Sequence, residues 1–62
     1  MKIYGVLNSQ NTHTDVSRSL PQVKRYARLN DYNVITCRYE YNTIILYKWD
    51  GKHWIEIKSR NQ

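Results

Sequence analysis

The chain has 62 residues, with ten Lys and Arg against five Asp and Glu, which gives a net charge of +5 at pH 7. This length predicts one small domain over residues 1–62, near the lower limit for a fold that depends on its own core. A single cysteine excludes an intrachain disulfide. No stretch has the form of a signal peptide or a transmembrane span, so we expect a cytoplasmic protein with no membrane partner.

Charge and aromatic content narrow the class of partner. A surplus of positive charge favours an anionic partner, which means nucleic acid, a nucleotide or an acidic protein surface. The chain has six Tyr and two Trp but no Phe. Tyr and Trp combine a large apolar ring with a polar group, and they are enriched at surfaces that bind another molecule. The composition therefore favours a binding protein.

The N-terminal segment predicts a strand and then a loop. Residues 2–7 alternate in a strand-like pattern that leaves open which side is buried. Gly5 weakens the interior of such a strand unless another backbone approaches closely there. Residues 8–14 contain no apolar residue and predict an exposed loop.

A helix is expected next, with Ser19 as its cap. Ser19 and Gln22 have the spacing of a capping box, and Pro21 falls in the first turn, where its missing N–H costs no helical hydrogen bond. A start at Asp15 is the alternative, but it would place Pro21 in the second turn. The apolar stripe that we expect to pack on the sheet consists of Leu20, Val23 and Ala27, with Tyr26 beside it.

Four basic residues near this helix lie off the apolar stripe and are candidates for binding phosphate groups. They are Arg18, Lys24, Arg25 and Arg28. Lys24 and Arg28 are i,i+4 neighbours with no acidic residue between them to offset their charge. An ordinary solvated helix face is the alternative interpretation. We expect these cations to point away from the aromatic sheet face that is defined below.

Residues 33–58 contain three runs rich in β-branched and aromatic residues, joined by two turns. Asp50-Gly51 is a strong signal for a two-residue type I′ hairpin, because both central residues of that turn need φ > 0. This turn pairs Tyr47 with Trp54 across the strands. The first turn is weaker, and we place it at Tyr41-Asn42, since Asn tolerates the left-handed region.

This register divides the predicted sheet into two faces. The face expected to receive the helix is mainly aliphatic and contains Ile35, Cys37, Tyr39, Ile44, Leu46, Ile55 and Ile57. The other face is aromatic and basic and contains Val34, Thr36, Arg38, Glu40, Ile45, Tyr47, Trp49, Lys52, Trp54, Glu56 and Lys58. One helix covers only one face, which leaves the aromatic face free for a partner.

The predicted fold is α+β, in the order β-α-β-β-β, with a four-stranded, mostly antiparallel sheet and one helix packed on one face. Residues 59–62 form a polar tail. If the first two strands are adjacent and parallel, their crossover is expected to be right-handed. The sequence leaves the strand order beyond the two hairpins open.

The expected function is that of a small non-enzymatic binding module, an inhibitor or adaptor that docks on another protein through the aromatic face. The partner-binding candidates are Arg38, Tyr47, Trp49, Lys52, Trp54 and Lys58. The alternative is a protein that binds nucleic acid or a nucleotide, with bases stacked on the same rings and phosphates held by the basic residues. A third interpretation is a homodimer in which two aromatic faces pack together.

No residue pattern predicts a catalytic residue, a metal site or a cofactor. Thr12, His13 and Asp15 form hydrogen bonds readily, but no spacing supplies a nucleophile, a base and an orienting group. Cys37 and the two histidines lack metal-ligand spacing, and the two glycines form no phosphate-binding loop. In general character, a short basic chain rich in Tyr and Asn is similar to the small proteins that phages encode, which include inhibitors of host enzymes and of host defence systems.

Overall fold

The computed structural model describes residues 2–57 and has an α+β fold with five strands and one helix. The elements are β1 (Lys2–Leu7), β2 (His13–Ser17), α1 (Leu20–Leu29), β3 (Val34–Tyr39), β4 (Asn42–Trp49) and β5 (Trp54–Glu56). Neighbouring strands are antiparallel, in the spatial order β2-β1-β3-β4-β5. The predicted α+β class is confirmed. The predicted tail over 59–62 and the candidate binding residue Lys58 lie outside the described residues.

Strand β2 is the element that the sequence did not predict. The loop expected over residues 8–14 is shorter, since β2 begins at His13. Asn8 Oδ1 closes this loop by accepting the backbone N–H groups of Gln10 and Thr12, each at 2.9 Å. The strand lies at the edge of the sheet and contains one apolar residue, Val16, so its hydrophobic pattern is weak. Strand β1 pairs with β3 in the antiparallel sense, so the parallel crossover considered from the sequence does not form.

The core lies between α1 and one face of the sheet. Its fully buried side chains are those of Val6, Val23, Ala27 and Ile35, with Tyr4, Val16, Leu20, Tyr26, Tyr32, Tyr47 and Trp54 packed around them. The predicted helix stripe is confirmed at Val23 and Ala27. The buried side of β1, which the sequence left open, is that of Tyr4 and Val6.

Helix α1 begins as predicted, although the hydrogen bonds at its start differ. Ser19 is the N-cap and Pro21 lies in the first turn, but the Ser19 side chain makes no capping hydrogen bond. Ser17 Oγ instead accepts the Ser19 N–H at 3.0 Å and donates to Gln22 Oε1 at 2.9 Å. Ser17 Oγ therefore accepts the Ser19 N–H, which in the predicted capping box would be bonded by the Gln22 side chain.

The helix ends in a Schellman motif. Asn30 is the C-cap, and the next residue, Asp31, has a left-handed backbone with φ of 62°. The N–H of Tyr32 then donates to the carbonyl oxygen of Ala27 at 2.9 Å. This is the 6→1 hydrogen bond that closes such a helix end and turns the chain towards β3.

A bulge in β4 changes which side chains share a face. Ile35 pairs with Tyr47 and Thr36 pairs with Ile45, so the extra residue on β4 is Leu46. Ile35 and Tyr47 therefore lie on the same side, against the helix. The prediction that α1 packs on an aliphatic face opposite the aromatic rings is wrong, because one extra residue moves the neighbouring side chains to the other face.

The first of the two predicted turns is displaced by one residue. Tyr39 pairs with Asn42, so the two loop residues are Glu40 and Tyr41 rather than Tyr41 and Asn42. Glu40 takes the left-handed conformation there, with φ of 57°.

The second predicted turn is longer than expected. Trp49 pairs with Trp54, which leaves a four-residue loop over 50–53. Asp50 Oδ1 stabilises this loop by accepting the backbone N–H groups of Lys52 at 2.8 Å and His53 at 2.7 Å. These two hydrogen bonds lower the pKa of the Asp50 carboxyl group below its usual value. A longer loop that uses the Asp side chain thus replaces the predicted two-residue turn.

Candidate functional site

The aromatic candidates lie on the helix side of the sheet and are half-buried. Trp49 and Trp54 form an edge-to-face pair, with ring centroids 5.2 Å apart and an interplanar angle of 64°. The guanidinium of Arg28 lies 4.0 Å from the centroid of the Trp49 ring, and Lys24 Nζ lies 4.6 Å from that of Tyr47. The expectation that the helix cations point away from the aromatic residues is therefore wrong.

These contacts give the aromatic residues and two helix cations a structural role. A cation over an aromatic ring contributes about 0.5–1 kcal/mol at an exposed site. Arg28 Nη1 also donates to the carbonyl oxygen of Tyr32 at 3.3 Å. Arg28 thus connects the end of α1 to the β4–β5 end of the sheet. The other candidates on this side, Arg25 and Lys52, are exposed, and their binding role stays a prediction.

The opposite face of the sheet, which we name the open face, is covered by no helix or strand of residues 2–57. Strand pairing aligns its side chains in three rows. The rows are His13, Leu7, Val34, Lys48 and Ile55; Asp15, Gly5, Thr36 and Ile45; and Ile3, Arg38 and Thr43. Arg38 is the one predicted partner-binding residue among them.

One part of the open face is aliphatic. Ile45 and Ile55 are 37% and 45% exposed, and Leu7 and Val34 are half-buried beside them. The exposed Lys48 lies between Val34 and Ile55 in the same row. Neighbouring exposed aliphatic side chains on one face of a sheet form the kind of patch that marks an interaction surface.

The other part of the open face is a polar cluster across three strands. His13 Nε2 of β2 lies 2.9 Å from Thr36 Oγ1 of β3, so the imidazole spans the intervening strand β1. Gly5 of β1 makes this crossing possible, because a Cβ there would lie 2.6 Å from Thr14 O and 2.9 Å from His13 Nε2. A close approach of another backbone at Gly5, which the sequence analysis expected, is therefore present at the carbonyl of Thr14.

Asp15 connects this cluster to Arg38. The Asp15 carboxylate accepts a hydrogen bond from Arg38 Nη2 and lies 3.8 Å from His13 Nε2. The hydrogen bond from Arg38 is the main cause that holds the pKa of Asp15 below its usual value, so this carboxyl group is ionised at neutral pH. Arg38, whose side chain is 45% exposed, is held in place by this ion pair.

The cluster does not have the geometry of a catalytic triad. In such a triad, histidine contacts the nucleophilic hydroxyl through one ring nitrogen and the carboxylate through the other. Here Nε2 is the closest atom of His13 to both Thr36 and Asp15, and Thr36 is only 2% exposed. The arrangement fixes the position of Arg38 rather than activating a hydroxyl group.

A cavity of about 350 Å³ adjoins Arg38. Its lining residues are Lys2, Ile3, Arg18, Arg38 and Glu40. The cavity therefore brings together Arg18 and Arg38, which the sequence assigned to two different binding surfaces. Local sequence patterns do not predict that Arg18 and Arg38 lie close together. Their proximity depends on the pairing of β1 with β3 and on strand β2, which the sequence did not predict.

Comparison with protein-family models, with curated proteins and with solved structures finds no match to this chain. Within residues 2–57, the helix lacks the length and apolar character that crossing a membrane requires. The His, Cys, Asp and Glu side chains of the same range form no group of three that could hold a metal ion.

Proposed function

We propose that this chain is a small non-enzymatic binding module of the cytoplasm, an inhibitor or adaptor that docks on an acidic protein surface through the open face. The observation that supports this proposal is the pair of exposed aliphatic residues, Ile45 and Ile55, next to the cations Lys48 and Arg38 on an uncovered sheet. An apolar centre with a charged rim is the usual composition of a protein–protein interface.

Charge favours a different protein over a second copy of this chain. Arg38 is paired with Asp15 on the same face, but Lys48 has no carboxylate partner among residues 2–57. Two copies packed through their open faces would therefore bring two such lysines into one interface, and each copy carries a net charge of +5. Like charges placed together across an interface cost several kcal/mol. An acidic partner instead pairs with these cations, which also speeds its approach.

The open face also suits a protein better than a nucleic acid. Binding of single strands depends on aromatic rings on which bases stack. The Tyr47 and Trp49 rings carry Lys24 and Arg28, and the three rows of the open face contain no Tyr or Trp. A base would therefore have to displace a cation before it could stack.

The proposal of a non-enzymatic role is supported by the polar cluster. Its one hydroxyl group near a base, that of Thr36, is buried beneath His13 and faces no free carboxylate, because Asp15 is paired with Arg38. Within residues 2–57, this cluster is the arrangement closest to a catalytic site, and its geometry favours a structural role.

Two matched variants test the docking surface. Ile45 and Ile44 are neighbours in β4 with 37% and 45% exposure, but Ile45 lies on the open face whereas Ile44 pairs with Cys37 on the helix side. Ile45→Asp and Ile44→Asp therefore make the same chemical change on opposite faces of one strand.

The tagged chain and both variants would be used as baits in a nuclease-treated lysate of the native host, after circular dichroism has shown that each is folded. The proposal expects a stoichiometric protein that is retained by the wild-type chain and by Ile44→Asp and lost with Ile45→Asp. Equal retention by all three baits would contradict docking through the open face. A concentration-dependent dimer that Ile45→Asp abolishes would replace the acidic partner with a second copy.

A further inference from the structure

We propose that the cavity lined by Lys2, Arg18 and Arg38 is a binding site for a phosphate group, either free or carried by a small ligand. This site shares Arg38 with the docking surface proposed above, but its occupation can be measured on the chain alone, so failure of one proposal is distinguishable from failure of the other. The ligand class is a phosphoryl oxyanion, and the sources to be distinguished are inorganic phosphate, pyrophosphate and a nucleotide.

The charges around the cavity favour an anion. Among residues 2–57, the carboxylate that lies within 4.0 Å of a basic side chain is that of Asp15, and its neighbours are His13 and Arg38. Lys2 and Arg18 therefore have no carboxylate partner at this distance. The carboxylates of Asp15 and Glu40 offset two of the three positive charges that meet here. One positive charge is left over, and a bound phosphate group would relieve the repulsion among these cations.

Arg38 is organised in advance for this role. A guanidinium has five N–H donors in a planar fork, which matches the oxygens of a phosphate group. Arg38 Nη2 donates a hydrogen bond to Asp15, and the other N–H groups of this guanidinium have no acceptor among residues 2–57. The ion pair with Asp15, which itself lies beside the hydrogen-bonded His13 and Thr36, restricts the Arg38 side chain before a ligand binds. Less rotational freedom is then lost on binding.

The size of the cavity limits the ligand. Its volume of about 350 Å³ lies at the lower end of the range of roughly 300–1,000 Å³ that is typical of small-molecule sites. Phosphate and pyrophosphate fit this space, and a mononucleotide would also contact Ile3 on the wall of the cavity. The site therefore suits a small phosphorylated molecule.

The test is a titration of the ¹⁵N-labelled chain, followed by NMR at constant ionic strength, with sodium phosphate, pyrophosphate and AMP as separate probes. The proposal expects saturable shifts at the amides of Ile3, Arg38 and Glu40, and tighter binding of pyrophosphate than of phosphate. AMP binding more tightly than phosphate would indicate a nucleotide as the source, and equal affinity would indicate the phosphate group alone.

Arg18→Gln and Gln10→Glu provide a matched pair of variants. Each lowers the net charge by one, but Arg18 lines the cavity whereas Gln10 is an exposed residue of the loop between β1 and β2. Loss of one charge-assisted contact should weaken pyrophosphate binding about tenfold in Arg18→Gln. Gln10→Glu should bind as the wild-type chain does. Equal weakening in both variants, or shifts that do not saturate, would overturn the proposal in favour of general attraction of anions.

Discussion

Replacing Gly5 with alanine should destabilise the sheet, and the structure sets the size of the effect. The new Cβ would lie 2.6 Å from Thr14 O and 2.9 Å from His13 Nε2. The carbonyl belongs to the neighbouring strand, so β1 and β2 must separate slightly and His13 must leave Thr36. Overpacking of this kind costs about 1–3 kcal/mol. Because the closest contact is with a backbone atom, the cost should lie in the upper part of this range, at about 2–3 kcal/mol. Alanine regains roughly 0.5–1 kcal/mol over glycine in a strand, so the net loss is about 1–2.5 kcal/mol.

Thermal unfolding followed by circular dichroism measures this loss. A chain of this size loses about 4–8 °C in midpoint for each kcal/mol, so Gly5→Ala should melt roughly 4–20 °C below the wild-type chain. Adding His13→Ala should restore part of the loss, because the contact with the imidazole disappears while that with Thr14 O remains.

Gly51→Ala is the control for backbone conformation, since its Cβ meets nothing within 4 Å but its φ is +103°. This variant should also lose stability, yet it should leave the His13 ring signals in the NMR spectrum unchanged. If Gly5→Ala melts at or above the wild-type temperature, the close approach of β1 and β2 does not explain the glycine.

Three further predictions concern the helix ends and the polar cluster. Arg28→Gln should lower the free energy of unfolding, measured in urea, by about 1–2 kcal/mol, because the contact with the Trp49 ring and the hydrogen bond to Tyr32 are lost. Arg25→Gln should change this free energy little, and equal losses in the two variants would exclude a specific role for Arg28. Asp31→Gly should raise the free energy of unfolding by about 0.5–1 kcal/mol, because glycine adopts the left-handed backbone at this helix end without strain. A lower urea midpoint than that of the wild-type chain would contradict this explanation. The Arg38 hydrogen bond lowers the pKa of Asp15 in the folded state, so its stabilisation is present above the unfolded pKa of about 3.9 and is lost as the pH falls through the folded value. Urea midpoints between pH 7 and pH 2 should therefore fall less steeply for Asp15→Asn, and identical slopes would show that the pair contributes nothing.

The helix was predictable because its signals are local. Ser19, Pro21, Val23 and Ala27 lie within one short segment, and capping, the place of proline and the apolar stripe agree with one another. Strand β2 was not predictable in the same way. Because the helix covers one face of the sheet, β2 needs apolar residues on that face alone, and Val16 by itself does not distinguish the strand from a loop.

The predicted faces are correct for β3 and for the first half of β4, but one residue makes them wrong for Tyr47, Trp49 and the residues of β5 that pair with them. The bulge at Leu46 leaves no signal in the alternation of β4, yet it places both Ile44 and Tyr47 on the helix side. The polar cluster depends on the same long-range pairing. His13 and Thr36 are 23 positions apart, and they meet only because β2 and β3 lie on either side of β1.

The open face, rather than the tryptophan pair, is the surface on which we expect a partner to dock. Hydroxyl-radical footprinting of the chain alone and in complex with its captured partner compares the two surfaces in one sample. We expect protection of Ile45 and Ile55 on the open face, with no change in the oxidation of Trp49 and Trp54. Protection of the two tryptophans, with unchanged oxidation of Ile45 and Ile55, would contradict the proposal and would show that the partner docks on the aromatic residues.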